Sequence, residues 1–527
     1  MDVDEVQSSG GQDEAVGASR WKPGDRCFAV WAGNNNYYTA TIEKVSEDDE
    51  TVTVTWDDKD NSHRTVKLSQ VAELQDESVA WSSARIDSRA AVRQSPTKGR
   101  CLFVNEGCDP GKVVFVERPL LVALPASCPS LWQHLQKLHE AQPLQLGTVT
   151  FHYAALLSQL KLDLESVDII MDKFVPEPDE EPGEDVLRIL HSLQENMALV
   201  NELKLQELAL EPRRLQRLVS AWRYNAFGHH KEDGLVLYNR ISMCAHSCDP
   251  SCCWSYGDDD AFVLRARVNL KAGSELTISY LQDEDLLKST TVRQTKLQNW
   301  RFTCQCERCC LKTDVGRGFK CRKCQLGISF PSKVYKHDGS WSVEMTPCTV
   351  CGSVMSPEDT KNMLNLEEEY VLRVENLDKN DIQDVDTVYQ AACEIFENHW
   401  ILYVMDTMLW EGLREKSLHD AMEHQRCRIR FHEHYYHRPT FILAWCHEEL
   451  GDCISNQFAT RKWQICQEFQ KAYHMLSILC GSNHQYTVSP YNKLWQAVNN
   501  SQGQNSQTSN NNSQPAAHSS GEDLQQA

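Results

Sequence analysis

The sequence predicts a multidomain chain: a small all-β barrel, a β-rich domain split by a helical insertion, a cysteine-rich zone and an α-helical C-terminal domain. Three observations point there. The 527 residues correspond to about three or four folding units at roughly 150 residues each. Period-two alternation marks the early part of the chain, and helical periodicity marks two later stretches. Of 22 cysteines, Cys304, Cys306, Cys309, Cys310, Cys321, Cys324, Cys348 and Cys351 crowd into one short zone.

Composition narrows the function. The chain is 41% hydrophobic and 24% charged, with mean hydropathy -0.50, enough for ordinary soluble cores. Lys plus Arg is 53 and Asp plus Glu is 74, so 53 − 74 = -21. That balance argues against strong nucleic-acid binding, which draws on surplus cations. No run of about 18 apolar residues exists to span a bilayer, and the acidic start MDVDEVQSSGGQDEAV is unlike a signal peptide. An intracellular chain with no membrane partner is expected, its cysteines thiols or metal ligands rather than disulfides.

Residues 1–20 are polar and expected to be disordered. In 21–74 the runs FAVW, YYTATIEKV, TVTVTW and HRTVKL alternate between turn-rich pieces, which predicts a barrel of about five strands. Residues 75–95 read as a linker, whose flexible reach would be roughly 25 Å. Residues 96–125 are β-rich around the turn signal DPG, and 126–224 are helical, interrupted by the acidic loop PEPDEEPGED. Strand patterns return in 225–300, followed by a cysteine motif at 301–312 and a second at 313–356. Residues 357–498 are helical; Ile465, Phe469, Ala472, Leu476 and Leu479 form one apolar face. The Asn/Gln/Ser-rich tail 499–527 is expected to be disordered.

Four segments carry the chemistry: KGRCLFVNEGCDPGKVVFVERPLL (98–121), RISMCAHSCDPSC (240–252), GSELTISY (273–280) and FTCQCERC (302–309). In this order they resemble the SET domain of protein-lysine methyltransferases. The split by a helical insertion and the helical domain after the cysteines are similar to the SMYD subfamily. The MYND finger usual in that insertion is absent, since Cys128 is the sole cysteine between 125 and 225. The resemblance covers roughly residues 98–490. It implies an S-adenosylmethionine-dependent protein-lysine N-methyltransferase acting on a histone or another protein, in nucleus and cytoplasm.

Methyl transfer to a lysine is an in-line displacement that needs a neutral amine and a narrow apolar channel. By resemblance, Tyr280 is the catalytic tyrosine bordering that channel. Gly99, Arg100 and Cys101 fall in the cofactor loop, with Cys101 where a second glycine is usual. Asn225 matches a cofactor-contacting asparagine, His246 the histidine of the NHSC motif, and Phe302 the aromatic against the adenine. Ala245 replaces the family's Asn, whose amide helps hold the cofactor; if its partner stays buried and unpaired, this costs about 1–3 kcal/mol.

Cys304, Cys306 and Cys309 form C-x-C-x2-C, and tetrahedral zinc wants a fourth thiolate. The resemblance supplies Cys248; Cys252, Cys253 and Cys310 compete for that place. Cys321, Cys324, Cys348 and Cys351, as two C-x2-C pairs, signal a second structural zinc by spacing alone. His432, His434 and His437 in FHEHYYH are expected to pack or face solvent rather than bind metal. No clean 34-residue repeat marks the helical C-terminal domain, whose position suits a lid over the substrate groove.

Residues 21–74 resemble a Tudor domain of the kind that binds methylated arginine by cation–π contact. The matching cage is Trp31, Tyr38 and Trp56 with Asn61 as polar partner, while Lys59 stands where a further aromatic is usual. The aromatics could instead fill the barrel core. The expected function is thus a methyltransferase carrying a reader of methylated protein, binding methylarginine or methyllysine. The alternative is an inactive SET/Tudor scaffold.

Overall fold

The computed structural model describes residues 21–499 except 33–35, 47–49, 57–58, 74–82, 175–180, 209 and 336–339. The expected disordered start, the tail beyond residue 499, linker residues 75–82 and the first half of the acidic loop, 176–180, therefore lie outside the described residues.

Alternation builds the N-terminal barrel. Thr51–Trp56 turns Val52, Val54 and Trp56 inward and its threonines outward. Five antiparallel strands run in the order Thr65–Lys67, Thr51–Trp56, Asn36–Val45, Arg26–Trp31, Val71–Glu73. Trp56 is 2% exposed within this core, and its indole N–H donates to Ser62 O at 2.9 Å. It is therefore a core residue and not a wall of an exposed cage. The barrel also rests on the last helix, Gln485–Asn499, where Val30 packs against Val488, Tyr491 and Trp495.

The linker expectation fails over its second half. Helix Ser83–Arg89 is followed by strand Ala90–Ser95, which pairs along its whole length with Gly99–Val104. Only one end of that strand is buried, so it carries no alternation to betray it. These two strands join Glu275–Ile278 and Ala245–His246 in a four-stranded sheet, with Ala245–His246 parallel to its neighbour. Two three-stranded sheets complete the β-rich domain. One pairs Cys252–Tyr256, Phe262–Ala266 and Val113–Glu117; the other pairs Phe227–Gly228, Leu235–Leu237 and Leu121–Ala123.

The helical insertion shares this core. Helix Thr150–Lys161 is buried on almost every side, and its Ser158 accepts the Trp222 indole N–H at 2.7 Å. Trp222 belongs to Pro212–Asn225, which buries Leu215, Leu218, Val219 and Ala221 and delivers Asn225 at its end. In the C-terminal domain, Ile465, Phe469, Ala472, Leu476 and Leu479 of helix Lys462–Leu479 are all buried, as the periodicity predicts. That domain is tied down by cations: Arg267, 5% exposed, donates to Pro439 O and the Tyr436 hydroxyl, and Arg293 donates to the Tyr435 hydroxyl.

Candidate active site and metal centres

One buried carboxylate organises the segment that leads into the site. Glu117, at the end of Val113–Glu117, accepts the backbone N–H groups of Asn239 at 3.1 Å, Arg240 at 2.7 Å and Ile241 at 2.8 Å. Burial raises its pKa more than these hydrogen bonds and the Arg240 charge lower it. The short turn Ile241–Met243 follows, and the Ser242 hydroxyl donates to Asn225 O at 3.1 Å and Tyr238 O at 2.8 Å. The helix end at Asn225 is thereby fixed to the strand that carries Ala245 and His246. The Asn225 side-chain amide itself donates to Phe174 O and Ala221 O.

Tyr280 is held at both ends. Its backbone N–H donates to His246 Nδ1 at 3.0 Å, and its hydroxyl donates to Cys244 O at 2.7 Å. The His246, Trp300 and Phe302 rings surround it with centroids 5.3, 5.6 and 6.2 Å away. Burial, with the Cys244 and Cys101 thiols behind it, holds the phenol well above its ordinary pKa. Burial also takes His246 down to about 4, against the Cys306 thiolate, so the imidazole is neutral.

A cleft opens beside Tyr280, walled by Tyr224, Phe227, Trp254, Ile278 and Trp300, with Asn225, Ser242, Cys244, Ser279 and Gln282 among its polar members. Flat aromatic walls with a few polar groups suit a ligand that combines a ring with an alkylated cation. The structure thus gathers Asn225, His246, Tyr280 and Phe302 around one place. Ala245 lies in their midst, its backbone paired with Thr277. Cys101 is fully buried beside them, its thiol pushed up to about 11 by burial and by Glu275. Gly99 has φ +74 at the hairpin.

Arg100 points elsewhere. Its guanidinium donates to Lys173 O, and it borders a second cleft with Asp87, Lys173, Arg240 and Met243. Sequence reasoning missed Ser242, Cys244, Trp254, Gln282 and Trp300. Ser242 and Cys244 stand inside the quoted RISMCAHSC run and Trp300 two residues before Phe302, so proximity to a motif was the available signal.

The first four-thiol cluster is Cys248, Cys304, Cys306 and Cys309, whose sulfurs all lie within 4.8 Å of one another. The competitors point away: Cys310 is exposed, Cys253 Sγ faces Arg265 O and Ile478 O, and Cys252 Sγ lies against Ser251. Arg293 Nη2 approaches Cys309 Sγ at 3.9 Å. The second cluster, Cys321, Cys324, Cys348 and Cys351, is equally tight. At Gly327 an added Cβ would stand 2.4 Å from Cys348 Sγ, so the knuckle demands glycine. Both clusters fit structural zinc, which takes four thiolates and leaves no open position.

A third group, His229, His230 and Asp260, also gathers. His229 Nδ1 accepts the backbone N–H groups of Lys231 and Glu232, so its Nε2 carries the proton and donates to Asp260. That imidazole has no lone pair left for a metal. His432 is 1% exposed and bonds Thr440 Oγ1, while His434 and His437 face solvent, as expected of FHEHYYH. On the barrel, Trp31 stands edge-on to Tyr38 at 6.3 Å and to His63 at 5.3 Å. Its indole N–H reaches Ser62 Oγ, which donates in turn to Asp60. Asn61 is exposed beside them.

Residues 99–281 match the SET domain family. The mouse and human proteins named histone-lysine N-methyltransferase SMYD3 are each 39% identical over 80 residues, 15% of this chain and 18% of theirs. Arabidopsis thaliana histone-lysine N-methyltransferase ASHR1 is 32% identical over 122 residues, 22% of this chain and 25% of that one. Gallus gallus protein-lysine N-trimethyltransferase SMYD5 is 36% identical over 84 residues, 16% and 20% of the two chains. The chain therefore matches a quarter or less of the length of these relatives. Its central part is a SET domain resembling those of the SMYD proteins. Among the described residues, no helix is long and apolar enough to cross a membrane.

Proposed function

We propose that the chain is an S-adenosylmethionine-dependent protein-lysine N-methyltransferase, with a histone or another protein as substrate. The observation that carries this reading is Tyr280, pinned by His246 and Cys244 at the head of an aromatic cleft inside the matched SET region. When bound, S-adenosylmethionine supplies an electrophilic methyl group on a sulfonium. The Tyr280 hydroxyl spends its proton on Cys244 O, which leaves its oxygen lone pairs to accept an N–H of the incoming lysine. Its raised pKa keeps it a phenol, so it orients the amine and does not act as a base. The aromatic walls exclude water, and desolvation favours the neutral amine that the displacement needs.

For the barrel, Trp31, Tyr38 and His63 with the Asp60 carboxylate support a reader of a methylated cation. In this reading His63 takes the place that the resemblance gave to Trp56. Ala245 favours a second reading, in which the domain is a binding scaffold with little or no turnover.

Incubation with radiolabelled S-adenosylmethionine and a mixture of histones and cell proteins tests the main reading. Label should appear on lysine and fall about 100-fold in Tyr280→Phe, the range for losing the group that positions a reactant. Equal labelling by the variant would remove Tyr280 from the mechanism, and no labelling by the native chain would favour the scaffold.

A further inference from the structure

We infer that His246 is a positioning residue that couples the first four-cysteine centre to Tyr280. The inference rests on the reading of Tyr280 as catalytic.

A backbone N–H always carries its proton, so His246 Nδ1, which accepts from Tyr280 N at 3.0 Å, must offer a lone pair. The neutral ring then has its one proton on Nε2. That nitrogen lies 3.3 Å from Cys248 Sγ, one of the four clustered sulfurs. With zinc in place Cys248 is a thiolate, a pure acceptor, and the N–H···S bond becomes charge-assisted. His246 is 5% exposed, so no water competes for either nitrogen. Tyr280 is also anchored through its hydroxyl to Cys244 O. Residues 244–248 thus hold both ends of the tyrosine, and their own position is set by Cys248 at the metal. Loss of that metal turns the acceptor that fixes the ring from a thiolate into a much weaker neutral thiol, and the ring is what fixes the Tyr280 backbone.

Two substitutions separate this role from simple packing. His246→Gln keeps one acceptor and one donor about 2.2 Å apart on an amide, whereas His246→Leu fills space with neither. Tyr280 can be followed directly by incorporating 3-fluorotyrosine and assigning its fluorine resonance by its disappearance in Tyr280→Phe. With zinc retained, His246→Leu should shift or broaden that resonance and lower kcat more than tenfold, and His246→Gln should restore both most of the way. Removing metal from the native chain with a chelator should move the same resonance, while Cys348→Ser at the second centre should not. An unchanged resonance in zinc-loaded His246→Leu, or a glutamine variant no better than leucine, overturns the proposal. If the leucine variant does not fold, the chelation arm decides: a resonance that stays put after the first centre is emptied overturns it equally. The resonance reads Tyr280 whether or not the chain methylates anything, so failure of the enzymatic reading shows separately as absent kcat with the coupling intact.

Discussion

Ala245 opens the short strand Ala245–His246, between Cys244, whose carbonyl takes the Tyr280 hydroxyl, and His246, whose imidazole takes the Tyr280 amide. It is half-buried, so a larger polar side chain there has room at one edge. If the resemblance is right about the asparagine usual at this point, Ala245→Asn should tighten S-adenosylmethionine about tenfold, equivalent to roughly 1.4 kcal/mol. Calorimetry on the two chains checks this, and equal or weaker binding by the variant would show that the cofactor reaches no group at 245. Other residues show how far side-chain identities can be read without coordinates. Trp56 shares the parity of Val52 and Val54 in TVTVTW, so its burial was legible in the alternation. The approach of His63 to Trp31 was not legible, because it depends on a left-handed backbone at φ +50 and on the Asp60–Ser62–Trp31 chain of hydrogen bonds.

Among the elements, an ionic contact and a strand pairing hold the cysteine-rich insert onto the C-terminal helices. Strand Arg317–Lys320 pairs with Phe396–His399, far along the chain. Glu367, on helix Pro357–Glu375, accepts both from Arg317 and from His399 Nε2. Burial alone would raise the Glu367 pKa, but these two partners together bring it down to about 2. A carboxylate lowered from an ordinary 4.5 contributes stability that is complete above that value and lost as pH falls towards 2. The loss is on the order of 3 kcal/mol. Chemical denaturation at pH 5 and pH 2.5 should show a smaller difference in Glu367→Gln than in the native chain; identical differences would place the acid sensitivity elsewhere. Gly327→Ala tests the second knuckle. The added methyl meets Cys348 Sγ, so zinc per chain should drop from about two to about one, with the first centre untouched. Retention of both ions would mean that the knuckle yields.

Legibility at this scale followed the physics of each element. Strong periodicity located the barrel strands and helix Lys462–Leu479, and C-x2-C spacing located the second centre, because local pattern and burial coincide there. Strand Ala90–Ser95 was lost in an apparent linker because it is an edge strand buried at one end only. The pairing of Arg317–Lys320 with Phe396–His399 depends on contacts between distant segments, which no local window contains.

For the whole molecule, the barrel is seated on helix Gln485–Asn499 through Val30, and the preceding helix Lys462–Leu479 approaches the SET sheets at Gly111 and Cys253. The proposed reader and the proposed catalytic cleft are therefore joined through the C-terminal helices as well as through the chain between them. A chain that holds them so has a defined geometry between the two sites, unlike one in which a flexible tether sets only a local concentration. The methyltransferase reading nonetheless stands on the cleft beside Tyr280. Its most direct test is a calorimetric titration of the full chain with S-adenosylmethionine. One molecule should bind per chain with a Kd of about 10 μM or tighter, near −7 kcal/mol, and be displaced by S-adenosylhomocysteine. No binding at about 1 mM cofactor, by zinc-loaded folded protein, would contradict it.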